Sequence, residues 1–293
     1  MLKNYRLRSS TSPTPAVAIL VPFSLDQGVP AEPPAYLSAP STAGPLIVLS
    51  TVYARYTPSG VEALRWALEK GFTIDIDIET NLRAGEGAWE DLEEFLTKAI
   101  PTAFTGKIIL CAFSSPHHTR CTGRISDLCS LCTANILPPP DDLSLPIVKL
   151  LTHPSYNDYQ SQTAALSLYA NVFIKFTPPV WGSPTPAAPE GEPTSDTFDK
   201  KEWKKRIKMY SKFGALLIRE TVTDRNRLVV GPALEAFGYE RILFGSSPSP
   251  SSRAKSSAGD WYELARESFA ELGTEQEDID LVFFGNAKRV YSP

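Results

Sequence analysis

Residues 44–52, "GPLIVLSTV", form an apolar run with no polar alternation, and residues 57–71, "TPSGVEALRWALEKG", follow with apolar positions at helical spacing. A strand that is apolar on both faces has to be covered on both, which is the condition of a parallel sheet with crossover helices. Thr57 or Ser59 is placed to cap this helix, and Gly71 stands where a C-cap glycine belongs. The same order recurs along the chain. "FTIDIDIE" (72–79) precedes the acidic helical run "GAWEDLEEFLTKAI" (87–100), and "GKIILCAF" (106–113) is a further strand. "LPIVKLLTH" (145–153) reads as a strand ahead of the helical "SYNDYQSQTAALSLYA", with the strand "NVFIKFT" (171–177) after it. The chain closes with the strand "ERILFGS" (240–246), a helix around "DWYELARESFAEL" (260–272) and "DIDLVFFGNAKRVY" (278–291). Strands alternating with helices over this length predict an α/β fold of the (β/α)8, TIM-barrel-like kind. A doubly wound sheet is the alternative, although no glycine-rich phosphate loop follows any strand. Residues 112–145 are too irregular to assign.

The 26 prolines gather in residues 13–45, 136–142, 177–196 and 246–252, which are therefore loops. A Pro/Ser-rich segment (1–44) is set apart from a barrel domain at 45–293. Within that segment "AVAILVPFSLD" (16–26) is a degenerate first strand, so the barrel is expected to be distorted or incomplete there. With 42% hydrophobic residues in 293 the chain can bury a sizeable core. A net charge of -4 gives no electrostatic case for nucleic acid or an anionic membrane. The basic run "KKEWKKRIK" (200–208) reads as a solvated helix face. No apolar run is long enough to span a bilayer, and the N-terminus lacks a convincing secretory cleavage site, so a cytoplasmic protein is expected. The expected partner is a small-molecule substrate.

The run "FTIDIDIET" carries the most chemistry. Its period of two sends Ile74, Ile76 and Ile78 to one face and Asp75, Asp77 and Glu79 to the other. In a barrel the isoleucines face the helices and the carboxylates face the lumen. Glu79 then lies nearest the C-terminal mouth, where such sites form, with Asp77 one layer below. The alternative is an edge strand with a wet acidic face. In "NVFIKFT", Lys175 points into the lumen if Ile174 and Phe176 pack on the helices; it is then either an anion-stabilising group or a structural partner of a strand carboxylate. His153 ends its run at a strand-to-loop transition, the place of a base or a merely hydrogen-bonded imidazole.

"HHTRCTGRISDLCSLC" (117–132) offers His117, His118, Cys121, Cys129 and Cys132 to a structural zinc. The spacing lacks two clear ligand pairs, and Leu128 and Leu131 point instead to a helix that buries its cysteines, so no cofactor is expected.

The C-terminal third resembles the amidohydrolase-related superfamily, in the branch of lactonases and related decarboxylases. Phe237, Gly238, Arg241, Ile242, Phe244, Gly245 and Ser246 match its Phe-Gly-x-x-Arg-Ile/Leu-x-Phe/Trp-Gly-Ser-Asp pattern, and Trp261, Asn286, Ala287 and Tyr291 its closing helices. Earlier segments agree more loosely, over about residues 45–293. The resemblance implies a barrel with a metal-dependent hydrolytic site, but the metal-ligand positions are largely missing. The family's first-strand His-x-His has no counterpart in "AVAILVPFSLD", and its Asp after Gly-Ser is Ser247. A neutral hydroxyl neither balances a divalent charge nor acts as a base at neutral pH. The resemblance with these departures implies a metal-independent hydrolase acting on a lactone or ester, or a lyase. Glu79, His153 and Lys175 are its candidate catalytic residues, and Asp77, Asn157 and Ser247 its substrate contacts. The alternative is a silent barrel that binds or scaffolds.

Overall fold

A computed structural model describes residues 18–30, 46–78, 87–100, 108–110, 149, 154–178, 185–187, 198–211, 232–246 and 257–291. Six strands form one sheet: β1 (Ala18–Pro22), β2 (Leu46–Tyr53), β3 (Thr73–Ile78), β4 (Ile108–Leu110), β5 (Val172–Phe176) and β6 (Ile242–Phe244). All neighbours are parallel and their order is β1-β2-β3-β4-β5-β6. A doubly wound sheet reverses its order at a switch point, and this one never does. Right-handed crossovers that always step the same way put their helices on one side, as in a barrel. Among the described strands the sheet does not close, and β1 and β6 are its edges.

Eight helices are described in full: α1 (Pro58–Glu69), α2 (Ala88–Ala99), α3 (Pro154–Ser167), α4 (Phe198–Ser211), α5 (Pro232–Phe237), α6 (Ala258–Glu271), α7 (Gln276–Asp280) and α8 (Asn286–Val290), the last two joined by a π-turn at Leu281–Gly285. Of the two cap candidates for α1, Thr57 is used: its Oγ1 accepts from the Gly60 amide at 3.1 Å. Gly71 ends the helix at φ 81°, a backbone conformation that glycine adopts without strain.

The parallel register sorts every strand residue onto one of two faces. Leu49, Ile74, Ile76, Ile108, Val172, Ile174, Phe176 and Ile242 share the helix-side face and form the core with α1, α2 and α6. There Tyr53 meets Phe95 at 4.8 Å between centroids, and Phe176 meets Trp261 at 5.0 Å. Burial of the Tyr53 phenol holds its pKa well above the usual range, so it stays neutral.

Two sequence expectations need correction. Within "LPIVKLLTH" the one described residue, Lys149, is helical, and β4 and β5 are hydrogen-bonded to each other; the rest of that run lies outside the described residues. A short apolar run has the same composition in a buried strand and a buried helix, so periodicity could not separate them. The basic run of α4 is a solvated face only in part: Lys201 and Lys205 are exposed, but the rest is not. Lys200, Lys204 and Arg206 are buried beside Trp203 and Ile207. Lys200 pairs with Glu267 at 2.9 Å, Lys204 with Glu267 and Glu271 at 2.8 Å each, and Lys208 with Glu271 at 2.6 Å. Cations four apart on α4 thus interlock with carboxylates four apart on α6.

This clasp predicts a pH response. Burial opposes ionisation of Glu271, but hydrogen bonds from Lys204 and Lys208 outweigh it and leave the carboxyl pKa below its ordinary value. A depressed folded pKa gives stability that is present above the unfolded value and is lost as pH falls through the folded one. Thermal melts between neutral pH and pH ~3 are therefore expected to show Glu271→Gln less stable than wild type at neutral pH, with the two curves converging below the carboxylate range, ~4.

Candidate functional site

The second face of the sheet carries Val48, Ser50 and Val52 of β2, Thr73, Asp75 and Asp77 of β3, Ile109 of β4, Phe173 and Lys175 of β5, and Leu243 of β6. An open sheet edge would leave such a face wet. Instead β3 lies between β2 and β4, and every residue from Thr73 to Ile78 is buried. The acidic stripe is therefore an interior feature, and the edge-strand alternative is excluded.

Burial is graded along the strands. On β2 to β4 the face is sealed towards the N-terminal ends, with Val48 and Ile109 fully buried, whereas on the edge strand β1 Leu20, beside Val48 in the register, is 50% exposed. At the C-terminal end Val52, beside Asp77 in the register, is 45% exposed. The face thus opens where parallel sheets place their sites.

The sequence left the direction of Lys175 open, and the register resolves it. Phe176 packs on Trp261 and Phe269 of α6, so Lys175, its neighbour, points to the other face. Asp75, Ile109 and Phe173 form one row, and Asp77 and Lys175 each lie two residues further along their strands. From that upper row the Lys175 ammonium reaches diagonally across β4 to donate to Asp75 Oδ2. Asp75 is 4% exposed and Asp77 7%. Their Cα atoms, two residues apart on one strand, are separated by about 7 Å. The sequence places Asp75 in the acidic stripe but not among the candidate catalytic or substrate-contacting residues. Its position on the same face as Lys175 was the available signal.

Asn157 lies in the first turn of α3, exposed, with its backbone carbonyl accepting from Ser161 Oγ at 2.8 Å. It is a helix-surface residue, on a different layer from the Asp75–Lys175 pair. Glu79, His153, Ser247 and the cysteine cluster at 121–132 lie outside the described residues; α3 begins directly after His153.

The residues that carry the superfamily resemblance build scaffold. The Arg241 guanidinium donates to the carbonyls of Ser167 (3.0 Å), Tyr169 (3.1 Å) and Ala236 (3.1 Å), tying the end of α3 to α5, while its charge lies 4.9 Å from the Phe237 ring. The buried Asn286 amide donates to Tyr239 O at 2.5 Å and Ile242 O at 2.8 Å, anchoring α8 to the start of β6. Trp261 Nε1 donates to Gly245 O at 3.1 Å, and the Gly245 amide to Phe176 O at 3.0 Å. A Cβ at Gly245 would come within 2.6 Å of Thr177 Cγ2, so only glycine fits between the ends of β5 and β6.

β1, where the resemblance looks for a His-x-His, is Ala-Ile-Leu-Val-Pro and carries no metal-ligating side chain. Among the described residues no three His, Cys, Asp or Glu side chains are grouped to hold a metal ion. Nor is any described helix long and apolar enough to cross a membrane.

No protein-family model matches the chain, and no curated protein matches it. Among solved structures it is similar to amidohydrolase 2 from Bifidobacterium longum subsp. infantis, with 13% sequence identity and a TM-score of 0.39. The likeness covers 83% of this chain and 60% of that one.

Proposed function

We propose that the open end of the polar sheet face is the active site of a hydrolase-like barrel that opens a lactone or ester without a metal. The observation that carries this reading is the pairing of an ammonium with an interior carboxylate just below the open end: the Lys175 ammonium on Asp75, with Asp77 and the exposed Val52 one row above. Glu79, which the alternation of the sequence puts in line with Asp75 and Asp77, takes a proton from water, alone or with His153, as the water oxygen bonds to the carbonyl carbon. The Lys175 ammonium donates to the oxyanion that forms. Collapse of the intermediate breaks the acyl C–O bond, and the proton passes to the departing alkoxide, giving a hydroxy acid from the lactone plus water. Asp77 and Ser247 hold the substrate, while Asn157, on another layer, takes no part. A lactone carbonyl is electrophilic enough for this route, and a lyase step would use the same base.

The test is proton release from a panel of neutral lactones and aryl esters. Turnover by wild type is expected, with Glu79→Gln lowering kcat by about 10²–10⁴-fold, the usual contribution of a general base, at unchanged melting temperature. A panel left untouched by wild type, or an unimpaired Glu79→Gln, would overturn the reading. The second reading, a silent barrel, is favoured by one observation: Arg241, Trp261 and Asn286 all serve the scaffold and none faces the site.

A further inference from the structure

We infer that Asp75 is a positioning residue that locks Lys175 as an ammonium ion. Lys175 then acts on this face as a fixed cation and hydrogen-bond donor, and is not a nucleophile, a Schiff-base former or a proton acceptor. The role given to Lys175 rests on the reading of this face as an active site; its ionisation does not.

The geometry carries the inference in three steps. A lysine has a four-carbon stem with many rotamers, and from the upper row Lys175 could extend towards the open end. It turns down and across β4 instead, to a carboxylate one row deeper. Second, the two charges need each other. Asp75 is 4% exposed and the Lys175 side chain 19%, so water supplies little of the solvation either ion would have in the unfolded chain. Burial alone would drive the lysine towards its neutral amine, while a carboxylate in direct contact favours the ammonium. Contact with an opposite charge in a weakly screened interior is the stronger influence. Third, the described neighbours on this face add no charge of the same sign. Across the sheet Lys175 is flanked by Leu243 of β6 and has Ile109 of β4 and Phe173 of its own strand in the row below, all apolar. The described titratable groups on this face are Asp75 and Asp77, both acids, and both favour the protonated lysine.

The chemistry follows from the protonation state. Imine formation, carbamate formation and proton abstraction each need the lone pair of a neutral amine, and an ammonium held against a carboxylate has none to give. Such an ammonium does what a preorganised donor does, meeting negative charge as it develops on a substrate oxygen.

Competitive labelling with trace acetic anhydride, read at individual lysines by peptide mass spectrometry across pH 7–12, tests this without a substrate. The midpoint of the labelling curve reports the ionisation of each amine independently of its accessibility. In the wild-type protein Lys175 is expected to titrate at higher pH than the exposed Lys70 and Lys201 of the same sample. Asp75→Asn is expected to lower its midpoint by at least one unit, so that at a pH below both midpoints its labelling rises about tenfold. A wild-type midpoint at or below those of Lys70 and Lys201 would overturn the inference, whatever the variant does. So would a folded Asp75→Asn protein with an unchanged Lys175 midpoint. Failure here leaves the hydrolase reading to its own assay, because the labelling uses no substrate, and failure of that assay leaves the Lys175 midpoint untouched.

Discussion

Trp261→Ala is expected to cost about 3–5 kcal/mol of folding stability, the usual range for truncating a buried tryptophan. The side chain is fully buried in α6, tilted against Phe176 at 5.0 Å between centroids, with Phe269 on the far side of Phe176 at 5.4 Å. Its loss opens a cavity between α6 and the end of β5 that neighbours fixed in a sheet can fill only in part. The indole N–H adds a second term, since it holds Gly245 O at the point where β6 ends. Trp261→Phe keeps most of the packing and drops that bond; it is expected to cost more than the roughly 1 kcal/mol of an ordinary hydrogen bond, because the ring is also smaller. Chemical denaturation of both variants separates the two terms. A Trp261→Ala protein within 1 kcal/mol of wild type, a small fraction of the expected cost, would mean that α6 does not pack on β5 as described.

That tryptophan also shows where the sequence was readable and where it was not. The alternation of β3, the continuous run of β2 and the helical period of α1 each report a local geometry repeated over several residues, so the pattern alone locates the element. The sequential order of the strands is the one a barrel-like sheet has, while the patterns also left a doubly wound sheet open. What the patterns do not encode is which partner lies opposite. Lys200, Lys204 and Lys208 look like a solvated stripe until Glu267 and Glu271 are found facing them. Matching four-residue spacing on two helices about sixty residues apart was present in the sequence, but nothing local linked the two sets. Arg241, Trp261 and Asn286 present the converse case. They carry the resemblance to a superfamily with an active site, yet each bonds to backbone carbonyls at the ends of strands and helices. A motif that secures chain ends marks a fold, and chemistry has to be argued from the polar face of the sheet instead. There the sequence identified the stripe and Lys175 but not the contact between Lys175 and Asp75, which crosses an intervening strand and so depends on register.

Lys175→Met is expected to destabilise the protein by about 3–5 kcal/mol, because it withdraws the cation from a buried carboxylate. Methionine fills nearly the same volume as the lysine stem, so the loss is electrostatic more than steric. Asp75, 4% exposed and in one row with Ile109 and Phe173, then loses this ion-pair partner, which disfavours its charged form and makes the defect depend on pH. A carboxyl whose folded pKa rises above its unfolded one binds a proton on folding, so the variant gains stability relative to wild type as pH falls towards the carboxylate range. Adding Asp75→Asn removes the charge altogether, and the Lys175→Met/Asp75→Asn protein is expected to recover most of the lost stability. Replacing both members of a buried ion pair is commonly far milder than removing one. Denaturation of the four proteins of this cycle at pH 7 and pH 5 measures the coupling directly. Additive costs, with no rescue in the double variant, would mean that the two side chains do not share an ion pair and that the diagonal contact across β4 is not formed in solution.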